Sequence, residues 1–430
     1  MFKRRFILML ISLLIITSML LTGCGPADTG GEEVTSVEEV EKVEEVVSAE
    51  GPVKVAFVGP LTGPGSADLI LASKGAQLAV DQRNAEGGVC DGREVILELA
   101  DDKADPKEGA NVAAILVEDE DVLAVAHGWN SSVVLAAAPI FNEHGLPQVD
   151  YYGVAPAIRE AGPYTFRVIP TGVLMAQYMA NWAVKDEGWM KVASFYENTD
   201  YGKGLYDVFE AEVNTLGGEV VASEAILMDQ KDFSAIIAKF KAKDPDVVVM
   251  FGQYEAAAFW VKQAPDIGLD VPLMGSDGIF APALIDLAGD QADGILSVSA
   301  YTVESEIPYV ADFVKAHQDA FGEDPNNGGG FAYDTMVLML DAIEGGDCTR
   351  EGANDWLTND VKDVQGVTGV ITFDEEGDRM FQEGLYIKLV VEGGKFMEYG
   401  EAAAAMEPVG GDPVKVAFVG PLTGPGSADL

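Results

Sequence analysis

From position 53 onward the chain alternates short β-rich runs with longer stretches whose apolar residues recur every three or four positions. The run 53–58 leads through a Gly/Pro loop into a segment where Leu71, Gly75, Leu78, Ala79 and Gln82 share one helical face, which makes a βα unit. Further strands are predicted at 95–100, 122–126, 191–196, 219–226 and 247–251, with helical segments between most of them. Several of these runs are apolar on both faces, the pattern of parallel strands covered by helices. The expected fold class is therefore α/β. Strands from 53 to about 167 form one series, and a second begins after Phe166-Arg167-Val168-Ile169-Pro170, so two lobes are expected. The strand-like stretches 295–301 and 366–373 have no complete domain between them, which suits chain crossings from one lobe to the other.

The ends of the chain follow a different pattern. Lys3, Arg4 and Arg5 precede an apolar run from 6 to 21 that is too short and wrongly flanked for a membrane span, and it reads as an export signal. The run ends in Leu21-Thr22-Gly23-Cys24, which resembles a bacterial lipobox, so 1–23 is expected to be removed and Cys24 to be lipidated. Residues 24–51 are rich in glutamate and valine with no aromatic side chain, and they predict an acidic, solvated tether. Val34, Val37, Val40, Val43 and Val47 also fit a short helix there. At the other end, 413–430 repeats 52–69 without a difference. One strand, one loop and a helix start cannot bury an apolar face alone, so this tail (401–430) is expected to be loosely attached.

The formal net charge of -44 argues against nucleic acid or an anionic lipid surface as partner, since either would require a basic patch. Solubility, or a salty habitat, accounts for the acidity. Beyond Cys24 only Cys90 and Cys348 remain; export permits a disulfide between them, and their spacing matches no metal site.

Enzymatic chemistry has little support. There is no G-x-S-x-G elbow, and the loop Gly59-Pro60-Leu61-Thr62-Gly63-Pro64-Gly65-Ser66 lacks the lysine of a phosphate loop and the spacing of a dinucleotide site. His127, His144 and His317 are scattered, with no metal-ligand spacing. Asp101, Asp102 and Asp105 fit loop charge or a helix N-cap ahead of Pro106. No cofactor and no metal are expected.

The order of several short motifs over 53–399 resembles the leucine/isoleucine/valine-binding type I periplasmic binding proteins. These motifs are Val55-Ala56-Phe57-Val58-Gly59-Pro60-Leu61-Thr62-Gly63, Gly75-Ala76-Gln77-Leu78-Ala79-Val80 and Asn84-Ala85-Glu86-Gly87-Gly88, followed by Asp101-Asp102. Pro163-Tyr164-Thr165-Phe166-Arg167, Asp200-Tyr201-Gly202-Lys203-Gly204, Asp232-Phe233-Ser234 and Phe373-Asp374-Glu375-Glu376-Gly377-Asp378 complete the series. The resemblance implies two doubly wound, Rossmann-like lobes joined by three crossovers, with 52–168 and 301–364 in lobe 1 and 169–300 and 365–400 in lobe 2. It also implies a ligand in the cleft between them and closure by hinge bending.

Carried residue by residue, the resemblance puts a ligand carboxylate at Trp129-Asn130-Ser131-Ser132, although the two serines also fit simple helix capping. The next loop is Tyr152-Gly153-Val154, where Val154 stands in place of a threonine common in amino-acid binders. A hydrogen bond to a charged group is worth about 1.5–3 kcal/mol, so either another donor substitutes or the ligand is not a standard α-amino acid. Asp277 in Gly275-Ser276-Asp277-Gly278 matches the acid that receives the ligand ammonium, and also fits a turn residue before glycine. Tyr196, Tyr201 and Tyr254 join Trp129 and Tyr152 as expected aromatic walls.

The implied function is a monomeric, lipid-anchored, extracytoplasmic receptor that delivers an amino-acid-like ligand to the membrane permease of an ABC importer. A ligand-sensing or amide/urea-binding protein of the same fold is the alternative. Cys24→Ser should abolish incorporation of labelled palmitate and release the protein from the membrane fraction; continued labelling would remove Cys24 as the anchor.

Overall fold

A computed structural model describes residues 51–63, 65–303, 308–380 and 385–400. The export signal, Cys24, the tether up to residue 50 and the repeated tail lie outside the described residues.

The first sheet holds β1 (Val53–Gly59), β2 (Val95–Asp101), β3 (Val122–His127), β4 (Gln148–Asp150) and β5 (Thr165–Arg167) in the order β2-β1-β3-β4-β5. All of its pairings are parallel. Helices α1 (Ser66–Ala85), α2 (Pro106–Leu116) and α3 (Ser131–Glu143) follow the first three strands. Every residue of the central strand β3 is buried, whereas the edge strand β2 is buried only at Val95 and partly or fully exposed beyond it. Asp105 caps α2 by accepting from the Lys107 and Glu108 amides, which settles that acid as a helix cap.

After α4 (Gly172–Asn181) the second series runs β6 (Lys191–Glu197), α5 (Asp200–Thr215), β7 (Glu219–Ile226), α6 (Ser234–Lys241), β8 (Val247–Phe251), α7 (Tyr254–Ile267), β9 (Leu273–Gly275), α8 (Pro282–Ala288) and β10 (Leu296–Ser299). The chain then adds α9 (Pro308–Phe321), α10 (Asn327–Gly345) and α11 (Arg350–Asn359), followed by β11 (Val364–Gly366), β12 (Gly369–Ile371), β13 (Ile387–Glu392) and β14 (Lys395–Glu398). The second sheet is ordered β14-β13-β10-β9-β8-β6-β7, parallel through β10, with β13 and β14 added antiparallel. Helix α10 returns to the first lobe and packs on α1. The approach is so close that a Cβ on Gly75 would collide with the Gly329 carbonyl.

The stretch 295–301 is mainly β10, an integral strand of the second sheet. The stretch 366–373 departs from a single crossing strand: β11 and β12 make a two-stranded ribbon. Only Val367 and Thr368 connect them, and Gly369 at φ 99° permits the tight reversal. Asp334 on α10 holds this turn by accepting from the Val367 and Thr368 amides. Cys90 and Cys348 are joined in a disulfide that ties the loop after α1 to the loop before α11 across a sequence separation of 258. Bridging so distant a pair restricts the unfolded chain strongly.

Where the chain leaves β5, Arg167 donates from Nε and Nη2 to Asp378 Oδ1 at 2.8 and 2.6 Å, with both side chains buried. Arg379 beside it donates to the Val168 carbonyl and to the Thr368 and Val370 carbonyls, so two crossing segments are fastened together. Removing one partner of a buried pair leaves the other charge uncompensated, at a cost of about 3–5 kcal/mol. Asp378→Ala should therefore lower unfolding free energy by about that amount in urea titrations; a loss below about 1 kcal/mol would show that the pair is not structurally required.

Candidate functional site

The carboxyl ends of parallel strands, with the helix N-termini that follow them, form the edge where open α/β sheets take ligands. Here both sheets contribute to a single cavity of about 620 Å³, within the range of small-molecule sites. The first lobe supplies Asp68, Trp129, Asn130 and Tyr152, and the second supplies Glu197, Tyr254, Glu255 and Asp277. Asn326 and Asn327, at the start of α10, line it too.

Trp129 sits between β3 and α3 with φ 77°, a left-handed conformation unusual for a bulky residue and common where structure serves a site. This places its indole over Tyr152, with ring centroids 4.9 Å apart and planes within 16°. A Cβ at Gly65 would come 2.5 Å from Trp129 Nε1, so glycine is required there for the indole to fit. Asn130 precedes α3 without making a side-chain cap, and its Oδ1 is buried with no hydrogen-bond partner.

Of the residues expected at the site, Trp129, Asn130, Tyr152, Tyr254 and Asp277 line the cavity, and the others stand behind its wall. Ser131 Oγ accepts from the Ala155 amide at 3.1 Å, and Ser132 Oγ accepts from the Asp200 amide at 3.3 Å, a contact between lobes. Gly153 donates its amide to Asp150, and Val154 is a core residue whose carbonyl accepts from the Gly172 amide. Tyr196 stacks on Tyr206 at 4.5 Å. Tyr201 acts one layer out: its hydroxyl lies 2.7 Å from Asp277 Oδ1 and 2.7 Å from Ser276 Oγ, and accepts from the Gly278 amide. That network fixes the direction of the Asp277 carboxylate.

Sequence reasoning missed Asp68, Glu197 and Glu255. Glu197 ends β6, where the strand-end rule points, and Asp68 and Glu255 stand in the first turns of α1 and α7. Glu197 is almost wholly buried; its Oε1 accepts from the Gln253 amide, yet desolvation pushes its carboxyl up to about 7. Desolvation likewise raises Asp277 to about 6 against the opposing hydrogen bond from Tyr201. Asp68 is raised by burial and then by the negative charge of Glu255 across the cavity.

His127 is a buried structural residue. His127 Nε2 lies 3.6 Å from Asp102 Oδ2 and its Nδ1 lies 3.3 Å from Gln148 Oε1, with no wall of the cavity formed by any of them. No group of His, Cys, Asp or Glu among the described residues could hold a metal ion.

A family model described as periplasmic binding protein matches residues 52–395. The Leu/Ile/Val-binding protein homolog 2 of Brucella abortus is 31% identical over 336 residues, covering 76% of this chain and 87% of that protein. The leucine binding protein LivK of Thermotoga maritima superposes with a TM-score of 0.75 at 28% identity, covering 81% of this chain and 98% of the other. The branched-chain amino acid transporter substrate binding protein LivJ of Streptococcus pneumoniae, crystallised with isoleucine, gives 0.74 at 28%, covering 80% and 97%.

A carboxyl whose folded pKa is raised contributes stability that is fully present below its unfolded value near 4 and is lost as pH rises through its folded value. For Glu197 and Asp277 that loss ends near pH 7 and 6, respectively. Asp150, also raised to about 7 by burial, adds the same sign. The ligand-free protein should therefore melt higher at pH 5 than at pH 8. Glu197→Gln should reduce that difference; an unchanged melting profile across this range would contradict the buried, protonatable state of Glu197.

Proposed function

The chain belongs to the periplasmic binding protein family, in its leucine/isoleucine/valine-binding branch, and from that premise we propose that it captures an amino acid or amino-acid-like molecule for an ABC importer. Members of the family are solute-binding proteins and not enzymes. The observation that carries the reading is a cavity bounded on one jaw by the start of α3 and on the other by Asp277. These ends are chemically opposite. The N-terminus of α3, with no acid in its first turn, favours the ligand carboxylate, and Asp277, oriented by Tyr201, favours its ammonium.

A zwitterion spanning the two jaws makes contacts that exist only when they approach, so binding favours the closed form by that difference in affinity. Trp129 and Tyr152 supply a flat apolar wall for the ligand body. Val154 contributes no hydroxyl, and its side chain is engaged in the core, so the helix terminus and Asn130 are the groups left to meet the carboxylate. The receptor acts outside the cytoplasm as a monomer, held to the membrane through lipid on Cys24, and passes its ligand to a membrane permease. The export pattern, the lipobox and the family support this.

Asp277→Ala should weaken binding of ammonium-bearing ligands by about 1.5–3 kcal/mol, on the order of tenfold to a hundredfold, with the free protein still folded and melting cooperatively. Isothermal calorimetry over an amino-acid panel reads this directly, and equal affinities for the variant and the parent protein would remove Asp277 from the site.

A further inference from the structure

A neutral amino acid brings one ammonium, and Asp277 suffices for it. The cavity is lined by five more carboxylates, of which Asp229 and Asp324 join Asp68 from the first lobe and Glu197 and Glu255 from the second. The cationic side chains among its lining residues are Lys231 and Lys395, both exposed, and among the described residues neither is ion-paired with any of these acids. Asp68 lines the cavity from one jaw and Glu255 from the other, and the Glu255 charge adds to burial in raising the Asp68 carboxyl, so bringing the jaws together brings like charges together.

The helix termini reinforce this. The N-termini of α1 and α7 would attract an anion, but each carries an acid in its first turn that lines the cavity. The N-termini of α3 and α10 carry no acid in the first turn, but α10 is capped by its own Asn326 side chain, which leaves α3 suited to a single carboxylate. Nor do the acids converge: no group of His, Cys, Asp or Glu among the described residues could hold a metal ion, so the negative charge is spread along the cleft rather than focused on a point. Aromatic faces at Trp129, Tyr152 and Tyr254 flank that charge, and these attract both alkyl chains and cationic nitrogen.

We infer that the ligand carries two cationic nitrogens separated along an alkyl chain, with Asp277 taking one and the acids spread along the cleft, Asp68, Glu197 and Glu255, providing the negative field for the other; a basic amino acid has this chemistry, and so does a diamine. The inference rests on the receptor reading above and narrows it. Neutralising the Asp68–Glu255 repulsion makes the second cation a condition for closure, so a branched-chain amino acid would leave the jaws opposed by two unpaired acids.

The test is calorimetry of the full chain at pH 7.5 with lysine, ornithine, cadaverine and isoleucine. Lysine or ornithine should bind roughly tenfold or more tightly than isoleucine. Cadaverine equal to lysine would identify a diamine site, and cadaverine much weaker would identify the basic amino acid. Asp68→Asn and Glu255→Gln, both partly exposed and checked by melting curves, should each lower affinity for the two-nitrogen ligand several-fold and leave isoleucine unchanged or improved. Preference for isoleucine would overturn the cationic class while leaving the receptor intact. Failure of the whole amine and amino-acid panel to bind would overturn the receptor reading as well.

Discussion

Arg167 divides its guanidinium between the hinge and the cleft. Two of its nitrogens bind Asp378 on a second crossing segment, and the third donates to the Ala155 carbonyl at 2.9 Å. Ala155 in turn donates its amide to Ser131 at the start of α3, and Asp150 holds the Tyr152 and Gly153 amides just before it. The loop that presents Tyr152 to the ligand is thus built onto the same buried cation that joins the crossings. Moving the jaws without breaking this pair requires the crossing strands to bend around it, which is hinge motion rather than sliding. A buried arginine with several acceptors is costly to leave unpaired, so the geometry of the wall and the position of the hinge are fixed together.

Given that hinge, the topology dictates where ligand chemistry collects. Parallel strands deliver all their carboxyl ends to one edge, and each delivers a helix N-terminus with them. Acids near those termini stabilise the helices through their dipoles, which explains Asp68 and Glu255 as local features. Lining the cleft from opposite jaws, the same two acids become a liability to closure. Local helix stability and jaw closure therefore make opposing demands on one pair of side chains, and a bound cation reconciles them.

The strands and most helices were legible because double-sided apolar runs such as 247–251 can be satisfied only inside a parallel sheet. The ribbon at Val364–Ile371 was not, since a five-to-eight-residue β-rich run reads alike as one strand or as two short ones around Val367 and Thr368. Within the site, Trp129, Tyr152 and Asp277 were visible as strand-end residues in recognisable loops. Ser131, Ser132 and Val154 lie in the expected loops with their side chains engaged by the Ala155 amide, the Asp200 amide and the core, because a loop sequence says which residues are near a cavity and not which way each side chain turns. Glu197 and Asp68 were hidden by the general acidity of the chain: among so many solvated carboxylates, one buried carboxylate has no distinguishing neighbour in sequence.

That distinction separates two populations of acid. Carboxylates on the surface are solvated and screened within about 8 Å at physiological salt, so a net charge of -44 is tolerated there and maintains solubility. Glu197 and Asp277 gain nothing from this screening: burial raises both carboxyls, which means the folded protein is less stable with them ionised than with them protonated. Replacing them by amides would relieve that penalty without altering shape greatly. Keeping acids in so unfavourable a place makes physical sense when something arrives to ionise and pair them, and a cation in the cleft, by favouring the charged forms, would draw binding energy from the same term that weakens the empty protein.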